Sequence, residues 1–253
     1  MAEVAAPIDA VLLDVGGVFT TPDHDLLAPV IKAGGGSATP EALDRGHYAG
    51  TVALDADGAI DWNRYGSAVA RAANVPDDRV EEAAAGVVDV LRSGHVWRRI
   101  LPGSVDGLRQ LAATGVGLAI VSNSDGTVEE QLITGRVCQV GEGSGVPVAV
   151  VIDSAVVGVA KPDPGIFELA LQALGVPAER AVHVGDTVFA DVAGARAAGV
   201  RPLHLDPYRM CRQRQDHDHV GSLAEVALLV ASSRRARAEL AAELAAELGA
   251  ERR

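Results

Sequence analysis

The sequence predicts an α/β fold, with a doubly wound parallel sheet and a helical segment inserted after the first strand. Short continuous apolar runs bounded by Gly or Asp are typical of parallel strands that are covered on both faces. Strand and helix patterns alternate from about residue 100 to residue 230, as in doubly wound sheets. Residues 21–99 interrupt this alternation with helical patterns, which indicates the insertion.

The predicted strands and helices follow one another along the second half of the chain. The strands are the apolar runs 10–15, 117–124, 149–152, 181–186 and 201–205. The helices between them cover 104–115, 163–175 and 189–199. Each of these helices ends at a Gly, which is a common end point of helices.

These patterns also predict the domain organisation. The first strand ends where the insertion begins, and open α/β sheets bind ligands at this carboxyl edge, so we expect the insertion to act as a lid. The predicted units are a core of residues 1–20 and 100–230, a helical cap of residues 21–99 and a helical tail of residues 231–253.

Residues 222–253 are predicted to be helical. The end of this segment carries one apolar stripe flanked by Glu, which repeats every four residues at Leu240, Leu244 and Leu248. Such a helix either docks along the core, remains solvated or forms a dimer contact. We therefore expect a monomer or a homodimer.

Composition restricts the class of protein. The 253 residues are 48% hydrophobic, enough for a full core, which argues against global disorder. A net charge of −12 argues against nucleic-acid binding and favours attraction of divalent cations. Cys138 and Cys211 form neither a CxxC pair nor a disulfide framework. The N-terminus lacks the features of a signal peptide and no apolar run approaches membrane-spanning length, so we expect a cytoplasmic protein without a membrane partner.

Polar residues occur in a fixed order at the ends of predicted strands and in the loops that follow. Because parallel strands expose their carboxyl ends on one side of a sheet, we expect these residues to converge. In isolation each has an ordinary structural alternative, such as a helix cap, a surface lysine or a turn residue. The residues are Asp14, Ser122 with Asn123 and Ser124, Lys161, and Asp186 with Asp191.

Together these residue types suit phosphoryl transfer, which depends on positioning and charge neutralisation. Carboxylates are hard oxygen donors for Mg²⁺, and a Ser hydroxyl with a Lys ammonium can bind phosphoryl oxygens. Lys161 also limits the repulsion between a carboxylate nucleophile and an anionic substrate. Asp14 can then attack phosphorus and form an aspartyl phosphate.

Four segments in this order resemble the motifs of the haloacid dehalogenase (HAD) superfamily, in the subfamily with a helical cap after the first strand. The resemblance covers roughly residues 8–206 and implies a Rossmann-like core and a Mg²⁺-dependent phosphatase that acts on a small phosphorylated metabolite. The segments are "LLDVGGV", "IVSNS", "AKPDPGIF" and "HVGDTVFADVAGARAAG".

The resemblance also implies roles for individual residues. Asp14 matches the nucleophile, and Lys161 the phosphate-binding lysine. Ser122 matches the phosphate-binding hydroxyl, and we expect Asn123 beside it to contribute to phosphate binding.

For the metal, the resemblance implies Mg²⁺ held by Asp14, by Asp186 and by the backbone carbonyl of Gly16. Asp191 is expected to support the metal or its waters.

The sequence departs from the family pattern at Gly16, where phosphatases of this superfamily usually carry a second Asp. That Asp protonates the leaving alcohol and then activates water, and such help is worth roughly 10²–10⁴-fold in rate. One interpretation is a phosphatase whose substrate, such as a sugar 1-phosphate or acyl phosphate, needs little protonation. Alternatively the proton comes from water, the substrate or a cap residue, for which Asp23, His24 and Asp55 are possible donors.

Two further interpretations of Gly16 remain open. A metal-independent 2-haloacid dehalogenase needs no acid, because halide leaves unprotonated. However, dehalogenases of this family typically have an aromatic residue at this position and a different fourth motif, and the acids of "GDTVFAD" favour phosphate and metal. The last interpretation is a catalytically impaired binding or regulatory protein, which the retained Asp14, Lys161 and Asp186 argue against.

Other segments carry weaker signals. "TVALDADGAID" at 51–61 contains a DxDG, but a nucleophile at Asp55 would leave residues 1–50 without a place in the fold, so we interpret it as a polar turn. Residues 212–222 are predicted to be a polar loop, in which His217 and His219 are a weak metal signal. Four cap residues could contact substrate or fill the cap core: Trp62, Tyr65, His95 and Trp97.

Overall fold

The protein is described by a computed structural model that covers residues 7–54, 60–94, 96–213 and 215–251, without the side chains of 240 and 243–251. Its strands are β1 (Ala10–Leu13), β2 (Thr20–Pro22), β3 (Trp97–Ile100), β4 (Gly117–Ser122), β5 (Cys138–Val140), β6 (Val146–Val148), β7 (Val150–Asp153), β8 (Ala181–Gly185), β9 (Arg201–Leu205) and β10 (Asp218–Val220). Its helices are α1 (His24–Ala33), α2 (Pro40–Leu54), α3 (Trp62–Ala72), α4 (Val80–Arg92), α5 (Ser104–Ala113), α6 (Val128–Thr134), α7 (Ser154–Val157), α8 (Pro164–Leu174), α9 (Gly194–Ala197) and α10 (Leu223–Glu251).

The predicted parallel sheet is confirmed. Six strands lie in the order β10-β9-β8-β1-β4-β7, and every neighbouring pair is parallel. Ala10 of β1 is in register with Gly117 of β4 on one side and with Ala181 of β8 on the other. The three central strands therefore run side by side in the same direction, which places the residues after them on one edge of the sheet.

Strand β1 is buried on both faces because helices cover the sheet on both sides. Val11 and Leu13 belong to the core that α5 and α10 cover, whereas Leu12 packs into the core that contains Phe167 of α8. Alternation of side chains along a strand produces this division. It also explains why the sequence of β1 is a continuous apolar run rather than an alternating one.

The helical insertion after the first strand is also present. Helices α1 to α4 form a core of their own around Ile31, Tyr65 and Val87. The antiparallel pair β2–β3 joins the insertion to the rest of the chain. The predicted boundaries at 20/21 and 99/100 stay predictions, and both fall inside these two strands.

The structure differs from the sequence-based expectation in three places. The predicted polar loop 212–222 contains the edge strand β10, which is stabilised by pairing with β9. The predicted helix 189–199 is a π-helical turn at Val188–Ala193 followed by the short helix α9. Strands β2, β3, β5 and β6 were not predicted, because runs of three and four residues are too short to show a period.

The C-terminal helix α10 begins at Leu223, next to the predicted helix start at residue 222, and packs against α5. Contact is close enough that a Cβ on Gly107 of α5 would lie 2.7 Å from the Cβ of Leu223. The stripe of Leu240, Leu244 and Leu248 lies outside the side chains that the structure describes. Within the described ranges, no helix combines the length and apolar character needed to cross a membrane.

Candidate active site

Lys161 lies at the centre of a buried cluster of carboxylates at the carboxyl edge of the sheet. Its Nζ is 2.8 Å from Oδ1 of Asp14 and 2.7 Å from Oδ1 of Asp191. Asp14 follows β1, and Asp191 lies in the π-helical turn after β8. The structure thus brings together residues that are far apart in the sequence.

The side chain of Asp191 accepts hydrogen bonds on both oxygens. Oδ1 contacts Nζ of Lys161 and lies 2.9 Å from Nε2 of His183, and Oδ2 accepts from the Thr187 hydroxyl at 2.5 Å and its backbone N–H at 3.0 Å. Burial acts to raise the pKa of Asp191, but the charge of Lys161 and the hydrogen bond of His183 outweigh it and hold the pKa well below its ordinary value. Asp191 is therefore an anion that positions Lys161 and Thr187.

Asp14 has the opposite electrostatic character. Burial, together with the nearby charges of Asp191 and Asp186, raises its pKa to about 7, although the ammonium of Lys161 acts against this. Burial acts to lower the pKa of Lys161 itself, but its two carboxylate partners raise it instead. Lys161 is accordingly a permanent cation, and Asp14 is a carboxyl group that a further cation would ionise.

Asp186, which directly follows β8, presents an available carboxylate oxygen. Among the residues that the structure describes, its buried Oδ2 has no hydrogen-bond partner; Nε2 of His47 lies 3.2 Å away. The backbone of Gly17 passes so close that a Cβ there would be 2.0 Å from this oxygen, and Gly17 has a φ of +65°. Only glycine satisfies both conditions without strain.

The acidic cluster fits a hard divalent cation. One carboxylate oxygen from each of Asp14, Asp186 and Asp191 lies within 4.8 Å of the others. Oxygen ligands of this kind suit Mg²⁺. Since both oxygens of Asp191 are already hydrogen-bonded, the available oxygen of Asp186 makes it, with Asp14, the better candidate for a direct ligand.

Ser122 and Asn123 lie at the end of β4 and line the same cavity. The side-chain amide of Asn123 donates to the Lys161 carbonyl at 2.9 Å and accepts from the Lys161 N–H at 2.8 Å. Asn123 therefore fixes the backbone of Lys161. Its contribution to phosphate binding stays a prediction.

The cavity between the sheet edge and the insertion has a volume of about 440 Å³. Trp62, Tyr65 and Trp97 all line it, so these cap residues face the site. Two other residues considered above, Asp55 and His95, lie outside the described part of the chain.

The proposed donors Asp23 and His24 have other partners. Asp23 caps α1 and forms an ion pair with Arg98 at 2.6 Å, and His24 Nε2 lies 3.2 Å from Asp44. Neither is among the described residues that line the cavity with Asp14.

Sequence reasoning missed His47 and Tyr48 of α2, which contact residues of the site. Nδ1 of His47 lies 2.9 Å from the Tyr65 hydroxyl, and its Nε2 faces Asp186. The neighbouring Tyr48 donates to the Gly17 carbonyl at 2.7 Å. No spacing in the sequence predicts these two residues, because their contacts with the site form only when the insertion packs over the sheet.

Sequence comparison assigns the family. The model of haloacid dehalogenase-like hydrolases matches residues 8–199, most of the chain. The chain belongs to this family. The HAD assignment agrees with the parallel sheet and with the helical insertion.

Individual relatives match only part of this HAD protein. Phosphoserine phosphatase from Thermus thermophilus is 37% identical over 99 residues, which are 39% of this chain and 37% of that protein. The chain spans about half the length, or less, of the curated relatives that it matches.

Solved structures share the HAD fold. The HAD-hydrolase YfnB from Bacillus subtilis bound to magnesium superposes with a TM-score of 0.53 at 16% identity and covers 88% of this chain and 99% of its own. A dehalogenase with an intermediate complex gives a TM-score of 0.54 at 20% identity and covers 89% of this chain and 98% of its own. At these identities, both similarities show only that the fold is shared.

Proposed function

We propose that this HAD hydrolase is a Mg²⁺-dependent phosphatase that hydrolyses small phosphate monoesters through an aspartyl phosphate on Asp14. The observation that carries the proposal is the pairing of Asp14 with Lys161 at 2.8 Å, beside a buried oxygen of Asp186 for which the described residues offer no hydrogen bond. Charge neutralisation at this point is what an anionic substrate and a carboxylate nucleophile require.

The chain's own residues have distinct tasks in the proposed reaction. Lys161 and Ser122 bind the phosphoryl oxygens and hold phosphorus in line with Asp14. A bound Mg²⁺, held by Asp14, Asp186 and the Gly16 carbonyl, would supply positive charge against the phosphoryl oxygens. Asp191 positions Lys161.

The covalent steps balance without any further reactant except water. A carboxylate oxygen of Asp14 forms a bond to phosphorus while the ester P–O bond breaks, and the leaving alkoxide takes a proton. Water then attacks phosphorus while the P–O bond to Asp14 breaks, which gives inorganic phosphate and the free carboxylate, and a proton of the water returns to the donor. The first step needs a proton donor, and Gly16 offers no side chain.

We propose that His47 takes over this proton transfer. It lines the cavity together with Asp14, and its Nε2 faces the oxygen of Asp186. Its Nδ1 contact with the Tyr65 hydroxyl, at 2.9 Å, fixes the orientation of the ring. The imidazole therefore lies in the cavity on the side of the insertion, within reach of a group bound between the insertion and the acidic cluster.

The variant His47→Gln is expected to lower kcat about 100-fold for alkyl phosphates, because general acid help matters most for poor leaving groups. For p-nitrophenyl phosphate, which leaves without protonation, kcat should change little. Steady-state kinetics with both substrates measure this difference. His24→Gln, a histidine of the same insertion outside the lining residues, serves as the matched control and should leave both rates unchanged.

A rescue variant sharpens this test. A Cβ on Gly16 would lie 3.7 Å from the Trp97 ring, an ordinary contact, so the backbone at this position accepts a side-chain carbon. In the His47→Gln background, Gly16→Asp should restore hydrolysis of alkyl phosphates. An equal loss for both substrates in His47→Gln would contradict proton transfer and indicate a positioning role.

Mg²⁺ affinity is expected to depend on pH between 6 and 8. Asp14 must be ionised to bind the metal, and its pKa in the metal-free protein is raised to about 7. Protons therefore compete with Mg²⁺ as the pH falls, and the apparent dissociation constant should be about tenfold higher at pH 6 than at pH 8. Calorimetric titration measures this ratio. Asp14→Asn is the reference, because only the part of the pH dependence that this variant loses belongs to Asp14. A wild-type profile with the same pH dependence as that of the variant would contradict the prediction.

A substrate panel tests the proposed function as a whole. It contains sugar phosphates, acyl phosphates and O-phosphoserine, the last because a relative is named phosphoserine phosphatase. The expected result is phosphate release that requires Mg²⁺. Magnesium is bound in YfnB, a protein that shares the fold. Chloride release from 2-chloropropionate without metal would instead support a dehalogenase, and ligand binding without turnover would support a regulatory protein.

A further inference from the structure

A second cluster of metal-ligating side chains lies beyond the acidic site, where β9 and β10 leave the sheet edge. One ligand atom from each of its four residues lies within 4.8 Å of the others. His204 and Cys211 are buried, and His217 and His219 are half-buried. The proposed phosphatase reaction uses none of these side chains.

Strand register brings two of these residues together. His204 of β9 is paired with His219 of β10, so their side chains lie side by side on the same face of the sheet. The segment between the strands supplies Cys211 and His217. Asp206 shapes this segment, because its carboxylate accepts hydrogen bonds from the backbone N–H groups of Met210 at 2.7 Å and Cys211 at 3.2 Å.

Neighbouring groups orient the imidazoles for metal binding. Nε2 of His204 lies 3.1 Å from the backbone carbonyl oxygen of Asp186, to which it can only donate. The Nδ1 lone pair of His204 therefore points into the cluster, where it lies 2.9 Å from Nε2 of His217. Nδ1 of His219 is 3.4 Å from Oδ2 of Asp206, which favours its other nitrogen as a ligand. Carbonyls and carboxylates in these positions are the usual outer partners of metal-binding histidines.

The size of the cluster fits tetrahedral zinc. Zn–N and Zn–S bonds require nitrogen atoms separated by about 3.4 Å and a sulfur–nitrogen separation of about 3.6 Å. Cys211 Sγ lies 3.7 Å from Nε2 of His217, and the 2.9 Å between His204 and His217 has to widen by about half an ångström. Rotation of the partly exposed His217 ring can provide this movement.

The donor set also selects the metal. Three imidazoles and one thiolate are the nitrogen and sulfur ligands that Zn²⁺ prefers, in contrast to the oxygen ligands of the acidic site. Four protein ligands complete a tetrahedron, which is the arrangement of a structural site.

We propose that His204, Cys211, His217 and His219 bind Zn²⁺, and that the metal fixes the segment between β9 and β10. Through the hydrogen bond from His204 to the Asp186 carbonyl, the same metal also restrains the backbone of a candidate Mg²⁺ ligand. Zn²⁺ binding at this cluster does not depend on the phosphatase activity, because it uses a separate set of ligands.

Metal analysis of the full chain, purified without a metal-affinity step, tests the proposal. We expect about one Zn²⁺ per chain, as in closed four-ligand sites. Replacement of Zn²⁺ by Co²⁺ should give the visible bands of tetrahedral cobalt together with a thiolate-to-cobalt charge-transfer band. Cys211→Ser should abolish the charge-transfer band, and both Cys211→Ser and His217→Ala should weaken Zn²⁺ binding at least 100-fold, beyond the roughly 10–100-fold cost of losing an outer partner.

Two control variants locate the metal. Cys138→Ser removes the other cysteine, in β5, and should retain both the zinc and the charge-transfer band. Asp14→Asn alters the acidic site and should also retain the zinc. Zinc that disappears in Asp14→Asn, a charge-transfer band that survives Cys211→Ser, or a wild-type chain that binds neither Zn²⁺ nor Co²⁺ would overturn the proposal. Asp206→Asn keeps all four ligands and removes only an outer partner. Its Zn²⁺ affinity should therefore be about 10–100-fold lower than that of the wild type, between the wild type and the ligand variants.

Discussion

Asp14→Asn is expected to lower kcat/KM for phosphate release by at least about 10⁴-fold, the scale on which removal of an enzyme's nucleophile acts. The amide has nearly the shape of the carboxylate but cannot form the aspartyl phosphate. Its effect should therefore appear in kcat, while the substrate still binds to Lys161 and Ser122. Phosphate release from the substrate panel in the presence of Mg²⁺ measures the loss.

The stability of the same variant separates chemistry from folding. A carboxyl group whose pKa is raised from 3.8 to about 7 by folding binds its proton more tightly in the folded state. Its contribution to stability is present at low pH and is lost as the pH rises from about 4 to 7. Asn carries no charge at any pH, so at pH 8 the metal-free variant should unfold at the same temperature as the wild type or higher.

Two results would contradict the role of Asp14 as nucleophile. One is phosphate release that survives Asp14→Asn at the wild-type rate. The other is a loss of activity that merely follows a lower unfolding temperature. Asp25→Asn, an exposed acid in the first turn of α1, is the matched control and should change neither property.

The sequence was sufficient to predict the sheet and the residues at its edge, for a physical reason. Buried parallel strands need continuous apolar runs, and their common direction brings the residues that follow them together. The convergence of Asp14 and Asp191 on Lys161 therefore followed from the order of the strands and loops, without knowledge of any distance.

Side chains whose role depends on packing between distant segments could not be predicted. His183 alternates with apolar residues inside β8 and resembles a core residue, yet its Nε2 contacts Asp191. His47 reaches the site only because α2 packs over the sheet. His217 and His219 alone were only a weak metal signal. His204 completes the cluster with them, and only the register of β9 and β10 brings it close.

Removal of Lys161 has the largest expected effect on stability. Its ammonium is buried and contacts the carboxylates of Asp14 and Asp191, with Asp186 nearby. Lys161→Met fills similar space but leaves these buried acids without their cation. Breaking a buried ion pair from one side costs about 3–5 kcal/mol, so the free energy of unfolding of the metal-free protein should fall by about this amount at pH 8. Phosphate binding should be lost as well.

The cost of Lys161→Met should depend on pH with a defined sign. Without the ammonium, the carboxyl groups of the folded variant bind protons more tightly than those of the unfolded chain, so the variant gains stability relative to the wild type as the pH falls. Urea unfolding at pH 8 and pH 5 measures the change, and an equal cost at both values would indicate lost packing instead. The double variant Asp14→Asn/Lys161→Met removes both members of one ion pair. It should recover part of the stability because one buried charge is gone, yet it should remain inactive because the nucleophile is gone too.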